Sequence, residues 1–349
     1  MGNTSPTSSL ADQDNLTPFG FASGFGYALD DRAMVVLCVA GRFRMSAPGK
    51  DCCEPLAILD DQRPPPMVDL HWATPGAASL LYAGQGVVFR PGADVYLQGS
   101  AWAPAGQEVS KLWTQVRVGP CTKAIRVLGE RRWVRGFTGL RATSAMRFAS
   151  MPLRYEHSHG GTALAEDGRI VAQDARNPVG RGVYARPKDA LDQPLPNLED
   201  PDKPDKPCGY GPIPASWQPR LALAGTYNSR WVEERIPLWP QDLDPRFFCA
   251  AAPGLCAPGL LRGGEPVVLE GFSPDGEFRF LLPTYRVLAK SIYADRIVRG
   301  MMQLDGVLLE PDEHAVTLYW RRSVPLGHGA KIYLRSVIRL LEPWEDEPA

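Results

Sequence analysis

The chain has 349 residues, of which 44% are hydrophobic and 22% charged, and these proportions exclude global disorder and indicate a globular protein. Its formal net charge of −1 gives no electrostatic reason to expect a nucleic acid or an anionic membrane as a partner. The 34 glycines and 34 prolines show no collagen-like period and therefore predict many short strands joined by turns.

No feature of the sequence indicates export or insertion into a membrane. The N-terminus lacks a basic patch followed by an apolar core, as a secretory signal would have. The longest apolar run, AMVVLCVA at residues 33–40, is too short to span a bilayer. The seven cysteines include no C-x-x-C pair. We therefore expect a cytoplasmic protein in a reducing compartment.

The first part of the chain is predicted to be a mobile tail followed by β structure. Residues 1–16 form the polar tail, and an N-terminal β region covers residues 17–150. Within it, residues 78–104 supply about three strands separated by glycine and proline turns. Residues 111–133 alternate polar and apolar side chains on both sides of a Gly-Pro turn, which predicts a hairpin.

The middle segment, residues 151–231, is rich in Gly, Pro, Asn and Asp and has little regular periodicity. Unstructured loops of this length are usually either functional or disordered. A short helix is predicted within residues 233–248, with Asp242 or Asp244 as its cap.

The C-terminal region, residues 232–345, is again predicted to be β, with a hairpin at residues 265–283 and a closing strand at residues 331–342. Turn sequences are predicted at Ser273 to Gly276, at Asp305-Gly306 and at Pro311-Asp312. The predicted fold class is mainly β, with sandwich-like layers from the N- and C-terminal thirds joined by a long irregular segment with at most short helices. Periodicity leaves open whether the two β regions form one domain or two.

His157 and His159 are candidate metal ligands, because neighbouring histidines on one strand face can share a metal. A third ligand is needed, and no other histidine has a spacing that ties it to this pair. The sequence favours a hydrogen-bonded turn beside Gly160-Gly161, and it predicts no metal and no cofactor.

Carboxylates suggest an alternative function in hydrolysis. Glu156, Glu199 and Asp200 are candidates for the paired acids of a carbohydrate-active or other hydrolase, although the carboxyl separation that this chemistry requires is not given by a sequence. Gly180-Arg181-Gly182 lacks the Lys-Ser/Thr of a phosphate-binding loop. Arg181 is expected instead to pair with Glu199 or Asp200.

Aromatic residues and arginines are interleaved from residue 217 to residue 248, a composition typical of protein-binding hot spots and also of segments packed onto a β core. The candidate protein-binding residues of the middle segment are Asn177, Arg181, Glu199, Asp200, Trp217, Arg220, Tyr227 and Trp231.

Several long segments resemble a bacterial family of unknown function whose genes neighbour type VI secretion tip components. They are TPFGFASGFG (17–26), KLWTQVRVGPCTKAIRVLGERRW (111–133), MPLRYEHSHGGT (151–162), RNPVGRGVY (176–184), LPNLEDP (195–201), GYGPIPASWQPRLALAGTYNSRW (209–231) and GGEPVVLEGFSPDGEFRFLLP (263–283). The resemblance covers nearly the whole chain from about residue 17 to residue 342.

The resemblance implies a cytoplasmic, non-enzymatic adaptor or chaperone. Such a protein loads a toxic effector onto a secretion tip made of a VgrG spike and a PAAR-type protein. It implies no catalytic residue. Two alternatives remain open at this point, the hydrolase described above and a structural tip component that is secreted with its partner.

Residues 195–220, LPNLEDPDKPDKPCGYGPIPASWQPR, have the composition of a linker. Both ends nevertheless belong to motifs that carry the family resemblance. We predict an ordered crossover held at both ends, with only residues 202–206 as a mobile tip.

Overall fold

The computed structural model describes residues 13–50, 54–105, 107–327, 332–342 and 344–345. Within these ranges β-strands dominate and the helices are short, which confirms the predicted mainly β class. The one α-helix of the described residues is α1 (Ser229–Glu234). Short 3-10 helices lie at Tyr155–His157, Pro187–Ala190, Arg220–Leu223, Pro245–Phe248 and Pro311–Glu313.

The strands are numbered in chain order. The first twelve are β1 (Asp14–Asn15), β2 (Gly20–Tyr27), β3 (Ala33–Arg44), β4 (Leu70–His71), β5 (Leu80–Tyr82), β6 (Asp94–Leu97), β7 (Ser100–Trp102), β8 (Lys111–Val118), β9 (Cys121–Leu128), β10 (Trp133–Arg135), β11 (Leu140–Ala142) and β12 (Ser150–Pro152). The others are β13 (His159–Gly160), β14 (Thr162–Leu164), β15 (Ile170–Gln173), β16 (Arg181–Gly182), β17 (Leu198–Glu199), β18 (Pro266–Glu270), β19 (Phe278–Leu281), β20 (Val287–Tyr293), β21 (Ile297–Met301), β22 (Gln303–Glu310), β23 (Ala315–Pro325) and β24 (Tyr333–Leu340).

The central sheet has the strand order β2-β3-β23-β22-β6. Its strand β3 carries the apolar run of residues 33–40 and is buried on both faces. Val35, Leu37 and Val39 face the main core, whereas Cys38 and Ala40 pack in a second cluster on the opposite face. A strand covered on both sides needs apolar residues at consecutive positions, which explains why this run lacks alternation.

A second five-stranded sheet has the order β17-β9-β8-β18-β19. Buried and more exposed residues alternate along its strand β8, as expected for a sheet that is covered on one face. Val116 and Val118 of β8 are buried, while Trp113 is 55% exposed. A third sheet, β1-β24-β20-β21, contributes Val287 and Ile338 to the same core. One continuous apolar core therefore joins the three largest sheets.

The N- and C-terminal β regions share these sheets. Strand β3 pairs with β23 in antiparallel register from Arg44↔Ala315 to Met34↔Pro325, and β8 pairs in the same way with β18. Strand β6 adds to β22 in parallel. Both regions thus contribute strands to the same sheets and side chains to the same core.

Two expectations from the sequence are corrected. Asp14–Asn15 lie within the predicted tail, yet they form β1 and pair in parallel with β24, because main-chain pairing does not require apolar side chains. Residues 1–12 of that tail lie outside the described residues. Asp305-Gly306, predicted as a turn, lies inside β22 at a β-bulge. The turn at Pro311 is confirmed.

Both predicted hairpins are confirmed. The first consists of β8 and β9 and the second of β18 and β19. In the turn of the second hairpin, Gly276 has a φ of +120°, which favours glycine, and the main-chain nitrogen of Asp275 donates to Ser273 Oγ at 3.1 Å.

Candidate functional site

The middle segment is organised around the side chain of Asn177, which is fully buried. Its Nδ2 donates to the carbonyl oxygens of Tyr155 at 2.8 Å and His159 at 2.9 Å. Gly160 has a φ of +143°, and a Cβ atom there would lie 2.2 Å from the carbonyl oxygen of Asn177. The Gly-Gly pair is therefore required by the close approach of two main-chain segments. Asn177 acts in this structure as an internal clamp.

Glu199 lies in β17 and is also buried. Its carboxylate accepts hydrogen bonds from Arg126 Nε at 3.1 Å and from Arg131 Nη2 at 2.7 Å. Arg131 Nη2 also donates to the carbonyl oxygen of Pro196 at 2.6 Å. The pair of arginines attaches the first end of the crossover to the second five-stranded sheet.

Arg181 does not pair with Glu199 or Asp200, so that expectation is wrong. Its Nη1 donates to Asn197 Oδ1 at 2.6 Å and lies 3.3 Å from Glu130 Oε1. Strand β16, which carries Arg181, pairs with β13. The Arg181 side chain therefore contacts Glu130, which follows β9, and does not reach the carboxylates of Glu199 and Asp200.

Asp200 closes a turn. One of its carboxylate oxygens accepts hydrogen bonds from the main-chain nitrogens of Asp202 and Lys203, both at 3.0 Å. Residues 202–206 are exposed, and the chain returns to the interior at Cys208, which is buried. The crossover is thus packed against the fold on both sides of an exposed tip.

Each carboxylate of the hydrolase alternative has internal partners. Glu156 accepts hydrogen bonds from the main-chain nitrogen of Ser79 at 2.7 Å and from its hydroxyl at 2.9 Å. Glu199 and Asp200 are held as described above. These contacts give all three acids a role in fixing main-chain segments.

The two histidines of the predicted turn also contact protein groups. His157 Nδ1 lies 3.4 Å from Asn197 Oδ1, and His159 Nδ1 lies 3.7 Å from Asp174 Oδ2. Burial is the main cause of a lowered pKa for His157, and the nearby positive charge of Arg181 lowers the pKa further.

Trp217 and Arg220 lie inside the protein. Trp217 is 4% exposed and meets the ring of Tyr155 edge-on at a centroid distance of 5.7 Å. Arg220 donates from Nε to the carbonyl oxygen of Phe247 at 2.7 Å and from Nη1 to that of Ile213 at 2.9 Å. Burial lowers the pKa of this guanidinium group. Both side chains therefore hold parts of the irregular region between residues 155 and 248 to one another.

Tyr227 lies just before α1, and Trp231 is a half-buried residue of that helix. Their rings meet edge-on at 4.6 Å, and Tyr227 is 49% exposed. Together with the exposed side chains of Val232 and Ile236 they form what we call the α1 surface. Tyr227 and Trp231 are the aromatic residues among the candidate binding residues whose side chains reach solvent.

Hydrogen bonds to neighbouring parts of the protein hold the α1 surface in place. Asn228 caps α1 by accepting a hydrogen bond from the main-chain nitrogen of Trp231 at 2.9 Å, and the indole nitrogen of Trp231 donates to the carbonyl oxygen of Leu238, also at 2.9 Å. Arg235 forms two hydrogen bonds with the carboxylate of Asp31, at 3.0 and 2.8 Å. The short helix predicted within residues 233–248 is the 3-10 helix Pro245–Phe248, and Asp244 caps it as predicted by accepting a hydrogen bond from the main-chain nitrogen of Arg246. The α-helix α1 begins earlier, at residue 229, and was not predicted.

A group that the sequence analysis missed consists of Asp94, Cys249 and Cys256. One ligand atom from each lies within 4.8 Å of the others, and this is the one such His, Cys, Asp or Glu group among the described residues. The two cysteines are separated by six residues, and the aspartate lies in another part of the chain. A C-x6-C spacing is a weak signal, so three-dimensional structure was needed to find the group.

Asp94 belongs also to a buried ionic network. Arg90 Nε lies 3.3 Å from Asp94 Oδ2, and Arg90 Nη1 lies 3.4 Å from Asp305 Oδ1. Arg321 Nε donates to Asp305 Oδ2 at 2.6 Å. Gln85 Oε1 accepts from both arginines, at 2.9 and 3.0 Å. Two positive and two negative charges are therefore compensated in the interior.

Within the described part of the chain, no helix combines the length and the apolar character needed to cross a membrane. Comparison with known proteins identifies one family, described as "Uncharacterized protein conserved in bacteria (DUF2169)", whose profile matches residues 30–321. The chain belongs to this family. No curated protein and no solved structure matches it.

Proposed function

We propose that this DUF2169 protein is a non-enzymatic adaptor, a chaperone that loads a toxic effector protein onto the VgrG/PAAR-type tip of a type VI secretion apparatus in the bacterial cytoplasm. The proposal takes its biological setting from the resemblance of the long motifs. The observation that carries the binding function is the α1 surface.

The α1 surface has the composition of a binding hot spot. Aromatic side chains supply a large contact area, and Tyr and Trp are enriched where binding energy is concentrated. Tyr227, Val232 and Ile236 are 49%, 56% and 55% exposed, so this apolar area is open to solvent. A partner that covered these side chains would gain the free energy of removing them from water.

The α1 surface is also preorganised. Its helix is capped by Asn228, held by Trp231 and joined to the turn between β2 and β3 through Arg235 and Asp31. A surface that is already ordered loses less conformational entropy when a partner binds. The β core serves as the rigid support from which the middle segment presents this surface.

The test combines two substitutions of similar exposure. Val232→Asp places a charge in the α1 surface, whereas Ile170→Asp places one on β15, where the side chain is 59% exposed. Substituting a hot-spot residue costs about 2 kcal/mol or more of binding free energy, which is roughly a thirtyfold loss of affinity. In the bacterium of origin, V232D should abolish delivery of one neighbouring effector, and I170D should not.

Photo-crosslinking from position 232, followed by mass spectrometry, should recover that effector or a tip protein. Delivery that persists when the whole gene is deleted would refute the adaptor proposal. If delivery were lost on deletion of the gene but kept in V232D, the binding surface would lie elsewhere than at α1. Recovery of the chain in the medium beside the effector would favour a secreted tip component, and loss of function in Glu156→Gln or Glu199→Gln at unchanged stability would favour a hydrolase.

A further inference from the structure

The strand β6 begins at Asp94, and the chain from residue 255 to residue 259 runs antiparallel beside it. The main-chain nitrogen of Val95 donates to the carbonyl oxygen of Leu255 at 2.9 Å, and the main-chain nitrogen of Ala257 donates to the carbonyl oxygen of Ala93 at 2.8 Å. This pairing places Cys256 opposite Asp94. Cys249 follows directly after the 3-10 helix Pro245–Phe248. The protein backbone alone thus brings the three side chains together.

Asp94 has an oxygen atom without a partner. The side chain is fully buried, and its Oδ2 accepts hydrogen bonds from the Tyr96 hydroxyl at 2.5 Å and from the main-chain nitrogen of Ala250 at 2.8 Å. Its Oδ1 is buried and has no hydrogen-bond partner. Buried carboxylate oxygens are nearly always satisfied, and a bound cation is one of the groups that explains an exception.

From this arrangement we propose that Asp94, Cys249 and Cys256 bind a thiophilic divalent cation, with Zn²⁺ as the representative ion. Thiolates select Zn²⁺ over Mg²⁺ and Ca²⁺, which prefer sites made of oxygen atoms. In a tetrahedral site with Zn–S bonds of about 2.3 Å the two sulfur atoms lie about 3.8 Å apart. The ligand atoms within 4.8 Å of one another need only a small adjustment to reach that geometry.

The charges of the surroundings permit such a site. The buried network of Arg90, Asp94, Asp305 and Arg321 is neutral before the cation binds. Binding releases the two thiol protons to solvent, and the two thiolates balance the two charges of the cation. The net charge of the buried region is therefore unchanged.

A cleft of about 450 Å³ opens beside the sulfur atoms and is lined by Cys249 and Cys256 as well as Gly92 and Arg220. A Cβ atom at Gly92 would lie 2.1 Å from the carbonyl oxygen of Ala257 and 3.6 Å from Cys256 Sγ, so glycine permits the close packing beside the site. The cleft gives the cation an entry path and room for a fourth ligand from solvent. Three protein ligands and one open position are typical of a zinc site that is not purely structural.

The test uses the full chain, reduced and freed of metal by a chelator, and titrated with Co²⁺ alone as a spectroscopic substitute for Zn²⁺. We expect one ion per chain, with a thiolate-to-cobalt charge-transfer band and the visible bands of tetrahedral Co²⁺, both lost when Zn²⁺ is added. Cys256→Ser changes an exposed residue and should weaken binding more than about 100-fold, beyond the loss expected for an outer partner.

Cys208→Ser removes a buried thiol outside the group and is the matched control, which should bind as the unchanged chain does. Asp94→Asn keeps the side-chain size, and its circular dichroism spectrum shows whether it folds. Absence of the charge-transfer band, or equal affinity in C256S and C208S, would overturn the proposal. A Cys249–Cys256 disulfide in air, together with no cobalt binding by the reduced chain, would overturn it in favour of a redox pair.

Discussion

Replacing Asp305 by asparagine removes the carboxylate that joins two buried arginines. Asp305 Oδ2 accepts a hydrogen bond from Arg321 Nε at 2.6 Å, and Oδ1 lies 3.4 Å from Arg90 Nη1. The three side chains are at most 3% exposed. An amide of the same size cannot compensate either positive charge, and it presents donor hydrogens to groups that are themselves donors.

The expected loss in the free energy of unfolding follows from this burial. Removing one partner of a buried ion pair costs about 3–5 kcal/mol, because the other charge stays buried without compensation. Asp94 and Gln85 still contact Arg90, so we expect about 3 kcal/mol, the lower end of that range. Urea unfolding followed by circular dichroism should show a lower midpoint with an unchanged slope.

Glu270→Gln is the matched control, since it also replaces a strand carboxylate that is paired with an arginine. The Arg117–Glu270 pair is 43% and 42% exposed, and exposed pairs contribute about 0.2–1 kcal/mol. If D305N lost no more than about 1 kcal/mol, equal to E270Q, the assignment of Asp305 as the compensating charge of the interior would be refuted.

Three further predictions concern single positions. Gly129→Ala should destabilise the fold by about 1–3 kcal/mol because its Cβ atom would lie 1.9 Å from a main-chain oxygen, whereas Gly259→Ala, with no atom within 4 Å, should be neutral or slightly stabilising in the same thermal unfolding assay. His157 has a lowered pKa in the fold, so its contribution to stability is present above the unfolded value near 6.5 and is lost as the pH falls through the folded value; His157→Gln should flatten the decrease of unfolding free energy on acidification, and an unchanged pH profile would contradict this. Iodoacetamide should label exposed Cys256 well before Cys38, whose pKa burial raises to about 11, and peptide mapping that found equal labelling would show the burial to be wrong.

Sequence patterns over short stretches predicted the hairpins, whose two strands are neighbours in the chain. The hairpins β8–β9 and β18–β19 follow from alternation and from turn residues with defined backbone preferences. The Asp305-Gly306 dipeptide has the same turn chemistry, yet β22 continues through it because β6 and β23 pair on either side and Arg321 binds the aspartate. Strand pairing decides between a turn and a bulge, and one of the two partners, β6, lies far away in the sequence.

The cysteine group could not be predicted for a similar reason. Cys249 and Cys256 have no motif spacing, and Asp94 reaches them only because residues 255–259 pair with the start of β6. A sequence signal did exist for the ionic network, since Arg90, Asp94 and Asp305 each interrupt an apolar stretch. Charged residues inside strands of a central sheet are rarely buried unless they are paired, so their pairing, though not their partners, follows from that position.

Aromatic and arginine content alone does not separate residues that bind a partner from residues that hold the fold. Trp217 and Arg220 have the composition of a hot spot, but they are buried and satisfied by internal rings and carbonyl oxygens. Substituting either would disturb these internal contacts, and a loss of delivery in such a variant would report local unfolding as readily as lost binding. Val232, exposed on a helix whose cap and supporting contacts lie elsewhere, changes the surface and leaves those contacts intact. Binding by this protein is therefore best tested at exposed positions of α1, with the buried anchors left unchanged.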